Sequence, residues 1–231
     1  MSEVPIITVD GPSGSGKGTI SQRVARQLGW HFLDSGAIYR VLGLMAERAG
    51  VEAEDVDKLV ELAENMPLSF DGDRVLLERE EVTHTIRTER AGNQASKVAA
   101  IPRVREALLA WQRNYARLPG LVADGRDMGT VVFPQAQVKI FLTASPEERA
   151  KRRYKQLKGK GLGVNLAGLI EEIRERDERD SQRVVAPLRA SASALELDST
   201  DLSIDEVYAR VMQKVHETFP NLPSQSTRSP Q

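Results

Sequence analysis

The chain has 231 residues, 40% of them apolar, which suffices for a packed core in one large domain or one domain with insertions. A net charge of −1 argues against bulk nucleic-acid binding and against a polybasic membrane anchor. Without cysteine there is no disulfide or thiolate metal site, and His31, His84 and His216 are too scattered for structural zinc.

Val4 to Val9 is an apolar stretch, and a strand is expected over Ile6–Val9. The run Gly11-Pro12-Ser13-Gly14-Ser15-Gly16-Lys17-Gly18-Thr19 follows it, and Ile20, Val24, Ala25 and Leu28 then mark a helix. Strand, glycine-rich loop and helix together make this spacing a phosphate site. The glycines let backbone N–H groups turn inward around an anion, and the helix N-terminus adds unpaired donors. Lys17 can reach the outer phosphates, so the loop reads as a nucleoside triphosphate site. The usual hydroxyl directly after the lysine is replaced by Gly18. Thr19 is then the candidate hydroxyl for Mg²⁺, the ion being held largely by water and phosphate. A glycine-rich turn with an incidental lysine is the plain alternative.

A second strand is expected over Trp30–Leu33, followed by Asp34-Ser35-Gly36, with Arg40 just over one turn into the next helix. Asp34 lies where a dinucleotide fold would carry a ribose-binding acid, but Thr19 occupies the third glycine position and Lys17 has no role in such a fold. Leu68 to Val82 alternates around Asp71-Gly72-Asp73 and reads as a hairpin in a small antiparallel insertion. Leu121–Ala123 is a third strand, leading into Asp124-Gly125-Arg126-Asp127. Val138–Leu142 is a fourth, and Ser145-Pro146-Glu147-Glu148 reads as a capping box with proline at the first helical position.

From Arg149 to Arg183 the chain is dense in charge and broken by Gly159, Gly161, Gly163 and Gly168, as suits a mobile lid. Within it, Leu166, Leu169, Ile170 and Ile173 form an apolar helix face, while Arg176, Asp180 and Arg183 recur at i, i+4 and i+7, with Arg179 beside them. By itself this is as well read as a solvated, salt-bridged helix; with a phosphate loop it resembles a clamp for transferring phosphates. The basic run Arg149, Arg152, Arg153 and its neighbouring lysines has only Tyr154 as a base-stacking aromatic, so nucleic acid is not expected. Ala194–Leu197 is a fifth strand. Ser203-Ile204-Asp205-Glu206 is a second capping box, opening a stripe of Ile204, Val207, Tyr208, Val211, Met212 and Val215. Pro220 to Gln231 is rich in Pro, Ser and polar residues and is expected to be disordered. No apolar run approaches a membrane span, and Met1 to Thr8 lacks the basic start and long apolar stretch of a signal peptide, so the expected location is cytoplasmic.

Five short apolar strands separated by helical patterns define an α/β fold, a three-layer doubly wound parallel sheet. Ligands of such sheets gather beyond the carboxyl ends of the strands, where Asp10, Asp34 and Asp124 stand. An acid after an apolar strand resembles the Mg²⁺-organising acid of phosphate-loop enzymes. Asp124 is equally readable, taken by itself, as a turn or helix-capping aspartate.

The strings V-D-G-P-S-G-S-G-K-G-T, L-D-S-G-A-I-Y-R, P-R-V-R-E-A-L-L, A-D-G-R-D-M-G-T-V-V-F-P, K-I-F-L and R-D-E-R-D closely resemble those of bacterial cytidylate kinases. They are spread over nearly the whole chain except the tail. The resemblance implies transfer of phosphate from ATP to CMP or dCMP with Mg²⁺, by a phosphate-loop kinase that is usually a monomer. It implies one domain over 1–219, with an NMP-binding insertion at about 60–100 and a helical lid at about 149–183. On the same grounds, Gly11 to Thr19 would bind ATP; Ser35, Arg40 and Arg126 would hold the CMP phosphate; Ser96, Arg105 and Asp127 would surround the cytosine. Arg176 and Asp180 would contact the ribose, and Arg183 would lie between the acceptor and the transferred group, with Lys17, Arg126 and Arg183 as the catalytic set. Arg149, Arg152 and Arg153 remain rivals for ATP.

A carboxylate such as Asp127 accepts from the cytosine amine and repels the uracil oxygen, a pairing worth roughly 1–3 kcal/mol of discrimination. The alternatives are a kinase of another small acceptor, such as shikimate, and a nucleotide-binding switch. The D-G-R-D segment with Ser96 and Arg105 argues against the first, and the lack of a guanine-reading N-K-x-D string against the second.

Overall fold

The computed structural model describes residues 4–72, 74–159 and 165–222. Five strands form one parallel sheet: β1 (Ile6–Asp10), β2 (His31–Asp34), β6 (Leu121–Gly125), β7 (Val138–Thr143) and β8 (Leu195–Asp198). Their order is β2-β6-β1-β7-β8, with the first strand central, as in a doubly wound fold. All five residues of β1 and of β6 are buried, which is why these segments read as continuous apolar runs.

Helices cover both faces. On one side α1 (Lys17–Leu28) and α8 (Ile204–Thr218) pack on Ile7, Val9, Val122, Ile140 and Leu142. On the other, α2 (Ser35–Ala49) and α5 (Pro102–Asn114) pack through Ile38, Leu42, Val104 and Leu108 against Ile6, Leu33 and Leu121. Each aliphatic side chain so buried stabilises the fold by roughly 1.5–3 kcal/mol.

Between α2 and α5 the chain forms α3 (Val56–Glu64), strands β3 (Leu68–Asp71), β4 (Arg74–Leu77) and β5 (Glu80–Glu81), and α4 (Glu89–Val98). The expected hairpin is present, with Leu68 opposite Leu77 and Phe70 opposite Val75. Phe70 packs edge-on against Trp111 and Tyr115, tying this insertion to α5. After β7 come α6 (Pro146–Lys158) and α7 (Leu166–Ser181), which share a small core of Ala150, Leu157 and Leu169. No helix among the described residues is long and apolar enough to cross a membrane.

The differences from expectation are local. Four of the five strands run one residue further at their carboxyl ends than Val9, Leu33, Leu142 and Leu197, and β6 runs two further, to Gly125. Main-chain pairing thus carries Asp10, Asp34 and Asp124 within the sheet, so Asp124 is neither a turn residue nor a helix cap. Asp34 caps α2, accepting from the Ala37 N–H at 3.0 Å. Trp30 precedes β2; its ring covers Gly120, where a Cβ would lie 2.4 Å from it. The Ser203 capping box is complete. At Ser145 only half of the box forms: the hydroxyl accepts from the Glu148 N–H, but Glu148 turns to Arg152 and the Ser145 N–H goes to Thr200. Ile204 is 55% exposed, because the apolar stripe of α8 outruns the sheet by one turn. Leu222, inside the expected tail, packs against the second core. Asp73, Gly161, Gly163 and residues 223–231 lie outside the described residues.

Candidate active site

The carboxyl ends of β1, β2 and β6 open into one cleft of about 320 Å³, roofed by α4, α6 and α7. Its floor is the phosphate loop. Gly16 caps α1 with φ +93°, a left-handed backbone that favours glycine and turns the first N–H groups of the helix toward the cleft. Lys17 is buried, donates to the Pro12 carbonyl at 3.2 Å and stands 4.0 Å from Asp124. Burial, then the nearby Arg126, lower Lys17 to about 8, although Asp124 pulls the other way. Burial pushes Asp124 up to about 7 against the pull of Lys17. The Ser15 hydroxyl is buried without a hydrogen-bond partner.

Two of the loop carbonyls, those of Ser13 and Ser15, are held by side chains from outside the loop. Arg149 is 2% exposed; it donates to the Ser13 carbonyl at 3.0 Å, to the Ala144 carbonyl at 2.8 Å, and pairs with Asp177 of α7. Arg152 and Ser199 both reach the Ser15 carbonyl. Arg153 instead pairs with Glu89 of α4, across the cleft mouth. The three rival arginines therefore do different work: two brace the phosphate loop and one joins the α6 and α4 sides.

Thr19 is not brought into the cleft. It is exposed on the outer side of α1, near Gln22 and Arg23, because two residues after Lys17 the helix has turned its side chain outward. On the cleft side of α1 it is Asp124 that lies close, its Oδ2 3.2 Å from where a Gly18 Cβ would stand. Among the described residues no group of three or more His, Cys, Asp or Glu is placed to hold a metal ion.

The remaining candidates converge on the opposite wall. Ser35, at the start of α2, donates to Gln112 Oε1 at 2.9 Å. Arg40 donates to the Ile86 carbonyl at 2.7 Å and comes near Arg176 over Gly92, where a Cβ would lie 2.9 Å from Arg176 Nη1 and 3.3 Å from Arg40 Nη2. Any larger residue there would have to displace one of the two guanidinium groups. Asp180 is 1% exposed and accepts from Ser96 Oγ at 2.8 Å and Arg126 Nε at 3.0 Å, and it pairs with Arg183. Burial would raise its carboxyl, but Arg126, Arg183 and Arg176 outweigh that and hold it below the usual range. Arg105 pairs with Asp127, both buried, and its guanidinium lies 5.6 Å above the Tyr39 ring. Ser96 donates to Asp180 and lines the same cleft as the Arg105–Asp127 pair. Arg179 does not line the cleft.

Sequence reasoning missed Tyr39, Gln112, Asp177 and Ser199. Gln112 lies seven residues after Arg105 on the buried face of α5, a spacing that marks it in retrospect. Asp177 is one of several acids in a charged helix and nothing local singles it out.

The site is an anion cradle with one lysine facing a wall of arginines, and four of them, Arg40, Arg126, Arg176 and Arg183, line the same cleft. Such a cradle suits phosphate-bearing ligands, whose oxygens accept from guanidinium and ammonium groups. A solved structure of an uncharacterized protein from Eubacterium ventriosum shares the fold, with a TM-score of 0.51 at 10% identity over 93% of this chain and 99% of that one. A cytidylate kinase of Aeromonas salmonicida (strain A449) is 60% identical over 212 residues, 90% of this chain and 92% of its own. One from Pseudomonas fluorescens (strain Pf0-1) is 58% identical over 217 residues, 91% and 95% of the two chains. The family model for cytidylate kinase matches residues 7–217, which takes in the phosphate loop and every arginine of the cleft, and the chain accordingly belongs to the cytidylate kinase family.

Proposed function

We infer that this chain transfers the γ-phosphate of ATP to CMP or dCMP, giving CDP or dCDP. The observation that carries the reading is the facing of two anion sites in one cleft: Lys17 and the loop on one side, Ser35, Arg40 and Arg126 on the other. Family membership supplies the identity of the base.

The acceptor phosphate already carries lone pairs, so its attack on the γ-phosphate needs no strong general base. Catalysis is then positioning and charge neutralisation. Lys17 neutralises the outer phosphates of ATP. Arg126 and Arg183, both anchored on Asp180, face the transferred group. Burial of the cleft strengthens each of these contacts and keeps water from intercepting the phosphate. Magnesium enters as part of the substrate MgATP, where it supplies further neutralisation of phosphate charge. Asp124, beside Lys17, with Asp34 lining the same cleft, suits an ion that keeps its water and phosphate oxygens.

At the other end, Asp127 would accept from the cytosine amine, with Arg105 holding the carboxylate in place and donating to the ring. Arg176 and Asp180 are assigned to the ribose. The insertion at about 60–100 is assigned to the NMP-binding side and residues 149–183 to a lid that closes over ATP, within one domain that acts as a monomer in the cytoplasm.

The test is ADP formation from MgATP with CMP, dCMP, UMP, AMP, GMP and shikimate as separate acceptors. Strong turnover with CMP and dCMP, weak with UMP and absent otherwise, is expected. ADP release independent of any acceptor would replace this reading with a hydrolytic switch.

A further inference from the structure

Asp10, the last residue of β1, takes no part in the mechanism above, yet its carboxylate is fully engaged. It is 4% exposed; Oδ1 accepts from the Met128 N–H and Oδ2 from the Gly129 N–H, each at 2.8 Å. These bonds join the strand that launches the phosphate loop to the turn that carries Arg126 and Asp127. The turn is also packed tightly against its surroundings. A Cβ on Gly129 would stand 2.7 Å from Thr8 Oγ1, so the backbone lies directly against β1. A Cβ on Gly125 would stand 2.7 Å from Met128 Cγ, so the Met128 side chain folds back on the start of the same turn.

The choice of an acid here runs against its solvation. Burial, together with Asp127 and Asp124 nearby, pushes Asp10 up to about 7 even though the two N–H groups favour its charged form. A neutral side chain would avoid that cost, but a carboxylate offers two acceptor oxygens to two successive N–H groups and an amide offers one. Both residues that follow Gly125 depend on the turn. Arg126 reaches Asp180, and Asp127 reaches Arg105. A shift of the turn therefore moves the phosphate end and the base end of the acceptor site together.

Resting on the assignment of this cleft to ATP and CMP, we propose that Asp10 is a positioning residue: it locks the Arg126–Asp127 turn to the phosphate loop and so sets the distance between donor and acceptor.

The experiment compares steady-state kinetics of the full chain, wild type against Asp10→Asn, Asp10→Glu, Arg126→Ala and the Asp10→Asn/Arg126→Ala double variant, with CMP and UMP as acceptors. In Asp10→Asn an NH₂ group faces a backbone N–H. The KM for CMP should rise about tenfold or more, as for loss of a charged hydrogen bond. The KM for ATP should stay within about threefold, and the preference for CMP over UMP should shrink. The double variant should lose less than the product of the single losses, because both act on one element. An unchanged KM for CMP, or losses that multiply in full, would overturn the proposal. If Asp10→Asn does not fold, amide exchange in the wild type decides. Slow exchange at Met128 and Gly129 that slows further with CMP supports the proposal; exchange insensitive to CMP overturns it. A wild type that fails to phosphorylate CMP rejects the functional reading itself, an outcome separate from either.

Discussion

The Ser35 hydroxyl donates to Gln112 Oε1 at 2.9 Å, and both side chains are buried. Gln112 is held in turn by the Leu108 carbonyl, to which its amide donates at 3.3 Å. Arg105 stands seven residues earlier on the same helix and pairs with Asp127. One rigid helix thus touches both the phosphate side and the base side of the acceptor cleft.

Gln112→Ala should therefore weaken acceptor binding through Ser35 without touching ATP. A net hydrogen bond of about 0.5–1.5 kcal/mol corresponds to a roughly 2–12-fold rise in the KM for CMP. Steady-state kinetics with each substrate varied in turn checks this; an equal rise in the KM for ATP would place the effect elsewhere.

Lys17→Ala should abolish turnover while circular dichroism stays that of the wild type. The pH dependence of ATP binding follows from burial lowering Lys17 to about 8. Below that pH the ammonium is already charged and ATP finds it ready. Above it, binding must take up a proton, because the ATP phosphates raise the lysine again, and affinity should fall by up to about tenfold per pH unit. Calorimetry with a non-hydrolysable ATP analogue at pH 7 and 9, in buffers of different ionisation enthalpy, reads that proton uptake. Lys17→Arg should flatten the profile, since a guanidinium stays charged throughout.

Asp127→Ala should lose far more efficiency with CMP than with UMP, by roughly 5–160-fold for a discrimination of 1–3 kcal/mol. It also leaves the buried Arg105 without its partner, a loss that costs on the order of 3–5 kcal/mol of stability. Urea unfolding and kinetics on both acceptors separate the two effects. Equal losses for CMP and UMP would make Asp127 purely structural.

Arg183→Ala should act on kcat, because Arg183 is placed between acceptor and transferred group and is oriented by Asp180. A fall of about 100-fold in kcat is expected for removal of one such charge. A change confined to the KM for ATP would move Arg183 to the donor side.

Much of this was legible along the chain. The phosphate loop announced itself through glycine spacing between a strand and a helix, and the parallel sheet through short apolar runs buried on both faces. The hairpin at Leu68–Leu77 and the Ser203 capping box were readable from alternation and from a three-residue spacing. The errors share a cause. Thr19 looked like a cleft hydroxyl because it lies two residues from the lysine, but a helix turns each successive side chain by about 100°, and two such steps send Thr19 outward. Glu148 satisfied the spacing of a capping box, yet Arg152 one turn on is a stronger partner for it than a backbone N–H already claimed by Thr200.

The sequence by itself determined what depends on neighbours within a few residues: the loop that cradles phosphate, the strands, the helix caps, and the face shared by Arg176, Asp180 and Arg183. The tertiary structure alone decided which of the arginines meets which acid. Arg149 went to Asp177 and the loop carbonyls, Arg153 to Glu89, and Asp180, already beside Arg183 on its own segment, gathered Ser96 and Arg126 from two others. Charged side chains of one type are interchangeable in local pattern. Their partners are chosen by how helices dock on the sheet, and by the high cost of leaving any buried charge unpaired.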